Sequence, residues 1–132
     1  MIAVFSRQRL RRDPRLACAL DFIAGAALVA AFAPLDLPAL GLLAPALLIH
    51  LWSGAARPRD CAWIGFAFGM GLFGAGVSWV YVSLSVFGGM PAALAAFATL
   101  AYCVWLALLP AAVGYAQHRL DRKSTRLNSS HQ

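Results

Sequence analysis

The chain has 132 residues; 61% are hydrophobic, only 12% are charged, and the net charge is +6. Soluble domains run near half apolar and about a quarter charged, so these proportions argue against an ordinary water-soluble globule. The cations flank long apolar blocks and do not gather on one face, which is a topology pattern and not that of a nucleic-acid binder.

Residues 1–15 form a basic lead-in carrying Arg7, Arg9, Arg11, Arg12 and Arg15. The apolar run after it is longer than a signal-peptide core and turns into a second apolar block, so it reads as a retained first span over about 16–33. At 1.5 Å per residue that span reaches ~27 Å, close to the hydrocarbon thickness of a bilayer. Pro34-Leu35-Asp36-Leu37-Pro38 breaks it, because two prolines around an aspartate favour a tight turn. A shorter second span follows over about 39–52, then a polar loop, Ser53 to Asp60, with Arg57 and Arg59.

The third predicted span, about 61–87, contains no charged residue and is crowded with glycine. Gly65 and Gly69 stand at GxxxG spacing, with Gly71, Gly74 and Gly76 beyond them; Gly65, Gly69 and Gly74 are expected to let a neighbouring helix approach closely. Gly88-Gly89-Met90-Pro91 makes the next turn, and a fourth span runs over about 92–116 with Pro110 kinking it. The predicted fold class is therefore all-α and integral to the membrane, with four transmembrane helices in one domain over 16–118. The arginine-bearing ends and loop all fall on one side of a four-span threading, which places both termini in the cytoplasm. The polar tail, 119–132, holds the chain's only lysine, Lys123, and its only asparagine, Asn128. It resembles translated adapter sequence appended to an incomplete reading frame, and reads as a non-native, disordered extension on a piece of a longer protein.

Few residues offer chemistry. Asp21 and His50 lie at nearly equal distances along the chain from Asp36, so a helical hairpin brings them to similar depth as a possible intramembrane polar pair. Each has the alternative of reaching headgroups or an arginine separately. Trp79 and Tyr81 fall near the far interface, where an aromatic belt is the simplest reading; Trp52 and Trp63 suit a belt on the cytoplasmic side. Cys18, Cys61 and Cys103 show neither disulfide nor zinc spacing and read as small buried hydrophobes. The chain has no glutamate, and Ser78, Ser83 and Ser85 near the outer turn have no histidine at their depth because His50 is at the opposite face, so no catalytic residue, metal site or cofactor is assigned.

The order of landmarks is specific: Phe32-Ala33-Pro34, a basic loop, the glycine-rich run Ile64–Gly76, Trp79-Val80-Tyr81-Val82-Ser83, then Phe87-Gly88-Gly89-Met90-Pro91. This resembles the N-terminal membrane domain of the apolipoprotein N-acyltransferases. The resemblance implies part of an eight-helix domain of the bacterial inner membrane, joined in the family to a periplasmic nitrilase-like domain. It implies acyl transfer from a membrane phospholipid to the amino group of a diacylglyceryl-cysteine on an apolipoprotein, through a Cys nucleophile with Glu and Lys. None of the three cysteines matches that nucleophile and the nitrilase-like part is absent, so the chain is expected to be inactive alone and to need the C-terminal half as its partner. The matching positions Trp79, Tyr81, Ser83, Phe87, Gly88, Gly89, Met90 and Pro91 are expected to contact lipid or to dock the catalytic domain, with bundle packing and turn formation as the competing account. The rival for the whole chain is a complete small four-helix transporter or channel subunit acting as an oligomer, with Asp21 as its ion-coupling group.

Overall fold

The computed structural model describes residues 13–29, 31 and 37–129, with side chains described as far as 126, and among these residues it is helical with no strand. Helix α1 spans Pro14–Val29, α2 Pro38–Gly54, α3 Pro58–Gly76, α4 Ser78–Val82, a π-helical segment Ser83–Phe87, and α5 Ala92–Ser129. The lead-in before residue 13 and the turn at 32–36 lie outside the described residues.

Three of the helices begin on proline, whose fixed φ suits the first helical position and whose missing N–H costs nothing there. Neither α2 nor α3 has a side-chain N-cap, so proline carries the start signal in both. Helix α2 stops at Gly54, where Ala55 turns extended and its N–H reaches the Trp52 carbonyl at 3.2 Å.

Helix α3 is the centre of the bundle, packed between α1 and α5. It runs antiparallel to α5: Cys61 meets Gly114 and His118, Gly65 meets Pro110, and Gly69 meets Ala107. It runs parallel to α1: Gly25 meets Phe68 and Leu72, and further along Val29 meets Gly76. The buried core joins Ala17 and Ala24 of α1, Leu48, Leu51 and Trp52 of α2, and Cys61, Ile64 and Phe68 of α3. On α5 the buried positions are Ala95, Cys103, Ala107 and Gly114, while Leu94, Phe97, Trp105, Leu108 and Leu109 face outward. Small residues inward and large apolar residues outward is the reverse of a soluble helix.

Two expectations change. The third span is not one straight helix over 61–87; it bends by 49° between Gly76 and Ser78. Just before the bend a methyl at Gly74 would meet nothing within 4 Å, so no contact there requires the axis to stay straight. The tail is not disordered where it is described: α5 continues through it to Ser129. Residues 119–129 contain no Pro or Gly, their Arg, Lys and Leu are good helix formers, and the Thr125 hydroxyl donates back to the Asp121 carbonyl at 3.0 Å.

By length and composition one described helix, Ala92–Arg126, can cross a membrane, and α3 with its bent continuation through Phe87 qualifies if the pair forms one span. Helix α2 is apolar but shorter.

Candidate functional site

At the far end of the bundle, where α3 stops, the two sequence landmarks form one continuous structure. Val77 breaks the helix with φ −105° and ψ 7°, and α4 restarts at Ser78, whose hydroxyl donates to the Ala75 carbonyl at 3.1 Å. Trp79, Val82 and Val86 then fall on one stripe that faces outward, Trp79 at 65% exposure. Tyr81 is at the edge of exposure, and Ser83 is half-buried. The π-helical segment closes when the Gly88 N–H donates to the Ser83 carbonyl at 2.9 Å and the Met90 N–H to the Leu84 carbonyl at 3.1 Å.

That closure explains the Gly-Gly-Met-Pro sequence. A methyl group at Gly88 would stand 2.7 Å from the Leu84 carbonyl oxygen, and Gly89 takes a φ of +62°, the left-handed region that glycine adopts without penalty. Met90 is half-buried, and Pro91 leads into α5. Phe87, at 84% exposure, points away from all of it. These residues thus build a turn, and they present Trp79, Val82, Val86 and Phe87 on its outer surface.

The predicted packing glycines divide. Gly65 lies against the carbonyl oxygen of Pro110, and a methyl at Gly69 would stand 2.8 Å from the Ala107 Cα. A methyl at Gly74 would meet nothing within 4 Å, so no close helix approach requires glycine there within this chain. On the opposite side of α3, Gly71 meets the Phe22 carbonyl oxygen and Gly25 of α1 meets that of Phe68. Backbone-to-backbone approach of this kind brings Cα–H groups onto carbonyls, a weak attraction that recurs at close helix crossings. Sequence reasoning missed Gly25 and Gly114. The signal for Gly25 was the small-residue face Ala17, Asp21, Ala24 and Gly25, which is the buried face of α1.

Asp21 and His50 do not pair. Asp21 is fully buried at 0% exposure and neither carboxylate oxygen has a hydrogen-bond partner, while His50 is exposed. The polar contact that does form is at the near end. The Trp52 indole Nε1 donates to the Cys61 carbonyl at 3.0 Å, and the Cys61 thiol lies 3.6 Å from the Trp52 carbonyl. His118 Nδ1 is 3.7 Å from the same sulfur, and its Nε2 is buried without a partner. Gly114 leaves room for the indole, since a methyl there would stand 2.8 Å from the ring. Trp52, at 7% exposure, is therefore a core residue and not part of an aromatic belt; Trp63 does face outward.

Cys61 and Cys103 are buried, and Cys61 lies at the end opposite Trp79. The hydroxyls of Ser78 and Ser85 donate to carbonyls of their own turns. Among the described residues no three His, Cys, Asp or Glu side chains group to hold a metal ion.

Residues 24–130 match the family described as apolipoprotein N-acyltransferase N-terminal domain. Relatives carrying the name apolipoprotein N-acyltransferase include one from Nitrosomonas europaea, 49% identical over 94 residues, covering 71% of this chain and 19% of that protein. One from Vibrio vulnificus is 43% identical over 104 residues, covering 79% of this chain and 20% of its own length. One from Ralstonia nicotianae is 43% identical over 108 residues, covering 82% and 21%. The chain thus spans about a fifth of the length of these relatives. With a matched region that takes in the packed glycines, the bend and the Gly-Gly-Met-Pro turn, the chain belongs to the apolipoprotein N-acyltransferase N-terminal domain family.

Proposed function

We propose that this chain supplies membrane-embedded helices of an apolipoprotein N-acyltransferase in the bacterial inner membrane. The parent enzyme moves an acyl chain from a phospholipid to the amino group of a diacylglyceryl-cysteine on an apolipoprotein. The bundle crosses four times with both ends cytoplasmic, so Trp79–Pro91 lies at the periplasmic face. There Trp79, Tyr81, Ser83 and Phe87, on the turn closed by Gly88, Gly89, Met90 and Pro91, contact the acyl donor or the catalytic domain.

The observation that carries this reading is the inverted sorting of α5 in a family-matched chain: small residues touch α3 and large apolar residues face outward. In water that outward surface would be a severe liability, whereas acyl chains solvate it. Charge distribution supports the same reading. Arg57, Arg59 and Arg119 gather at the near end, and no Asp, Lys or Arg occurs from Cys61 to Ala116.

Topology reporters test it. Fusions after Gly54 and after Gly89 should report opposite sides of the membrane, the first cytoplasmic; the same side for both would overturn the threading. Acyl transfer itself needs a reachable thiolate, and the burial of Cys61 and Cys103 argues that neither receives the acyl group. Incubation with phospholipid should leave no thioester on this chain, and a hydroxylamine-labile acyl group on any of its cysteines would refute that.

A further inference from the structure

We infer that Val77 is a hinge and that Ser78–Phe87 is a movable lid at the far end of the bundle, swinging against a fixed α3. The inference rests on the chain being embedded in a membrane.

The length of the segment is the first argument. Helix α3 has 19 residues, and its ~28 Å nearly fills a hydrocarbon layer of ~30 Å. Ser78–Phe87, beyond its end, has no hydrocarbon left to cross and is free to change its tilt at the headgroup level. The bend of 49° falls at that point.

Glycine placement is the second argument. Gly65, Gly69 and Gly71 are held by contacts that a methyl group would break, whereas Gly74 has nothing within 4 Å and Gly76 only a Val29 methyl at 3.5 Å. Contacts within this chain therefore do not call for glycine at 74 and 76. Conformational freedom does, and sharp bends collect at Gly and Ser clusters such as the one ending at Ser78. The far edge of the lid is Gly89, which also has open space around it. Both ends of Ser78–Phe87 can thus absorb a change in φ and ψ, as hinges at element ends do.

The third argument is the hydrogen bonding of the break. The Ala75 carbonyl accepts from the Ser78 hydroxyl, and the Val80 N–H closes a tight turn onto the Val77 carbonyl at 2.9 Å. The joint keeps its polar groups partnered through a side chain, which can rotate with the lid without stranding a carbonyl in lipid.

The test uses this chain in lipid nanodiscs, with ketone-bearing residues at Ile23 and Val86 carrying oxime-linked nitroxides, so the three cysteines stay untouched. Both positions are exposed. Pulsed dipolar measurements should give a broad or multiple distance distribution in the parent chain. In the double variant Gly74→Ala/Gly76→Ala its width should fall by about twofold, because alanine removes backbone freedom at open positions, while the thermal midpoint holds. One narrow distance in the parent overturns the hinge, as does an unchanged width in the variant. Collapse of the double variant also overturns it, since those glycines would then be packing positions. Failure of the membrane reading would show separately, as labels along α5 that relax with a water-soluble reagent and not with oxygen.

Discussion

Two stretches of the third helix use the same residue for opposite purposes. From Cys61 to Gly71 glycine removes a side chain so that α1 and α5 can lie against backbone; at Gly74 and Gly76 it removes one where nothing competes for the space. The first stretch is held by close contacts on two sides, whereas a methyl at Gly74 would meet nothing within 4 Å and one at Gly76 only Val29 of α1. A glycine-rich span is therefore not one signal. Its meaning depends on whether a partner helix stands within van der Waals reach.

Substitutions break or sharpen that contrast. The largest effect is expected at the packed stretch: Gly71→Leu pushes a side chain into the Phe22 carbonyl and should cost about 3 kcal/mol, read from unfolding in mixed micelles. Loss of less than a third of that would mean α1 can move away freely. Asp21 comes next, as the buried polar group with no partner. Asp21→Leu should stabilise the bundle by about 1–2 kcal/mol, whereas Asp21→Asn keeps the orphaned polarity and should not. If both variants lost stability, Asp21 would be paired after all. Trp52→Phe removes the indole donor to the Cys61 carbonyl and should cost about 1 kcal/mol, with His50→Ala as a silent control. Smallest is the open stretch, where Gly74→Ala should leave stability within about 0.5 kcal/mol of the parent or raise it slightly.

The helical class was legible, because prolines and glycines such as Pro38 and Gly54 punctuate apolar runs. The Gly-Gly-Met-Pro turn was legible for the same reason. The bend at Val77 was not: no proline marks it, and a charge-free run reads as continuous. The Asp21–His50 pairing failed because equal distance along the chain from a turn fixes depth and not azimuth. Asp21 faces inward in one register with Ala17 and Ala24, while His50 lies off the buried stripe of Ala44, Leu48 and Leu51. Trp52 was misread because a tryptophan at a helix end suits an interface and a core equally. Only Cys61, across the loop, decides between them. The helix in the tail was not legible, because a change in composition says nothing about whether a helix already under way will stop.

The clasp between Trp52 and Cys61 bears on the order of assembly during synthesis. Its two partners are nine residues apart, so closing that loop carries a small entropic cost and is possible as soon as Cys61 emerges. His118 and Gly114 arrive more than fifty residues later and find the indole already seated. The α2–α3 hairpin can therefore close before α5 is made, and α5 then packs chiefly against α3.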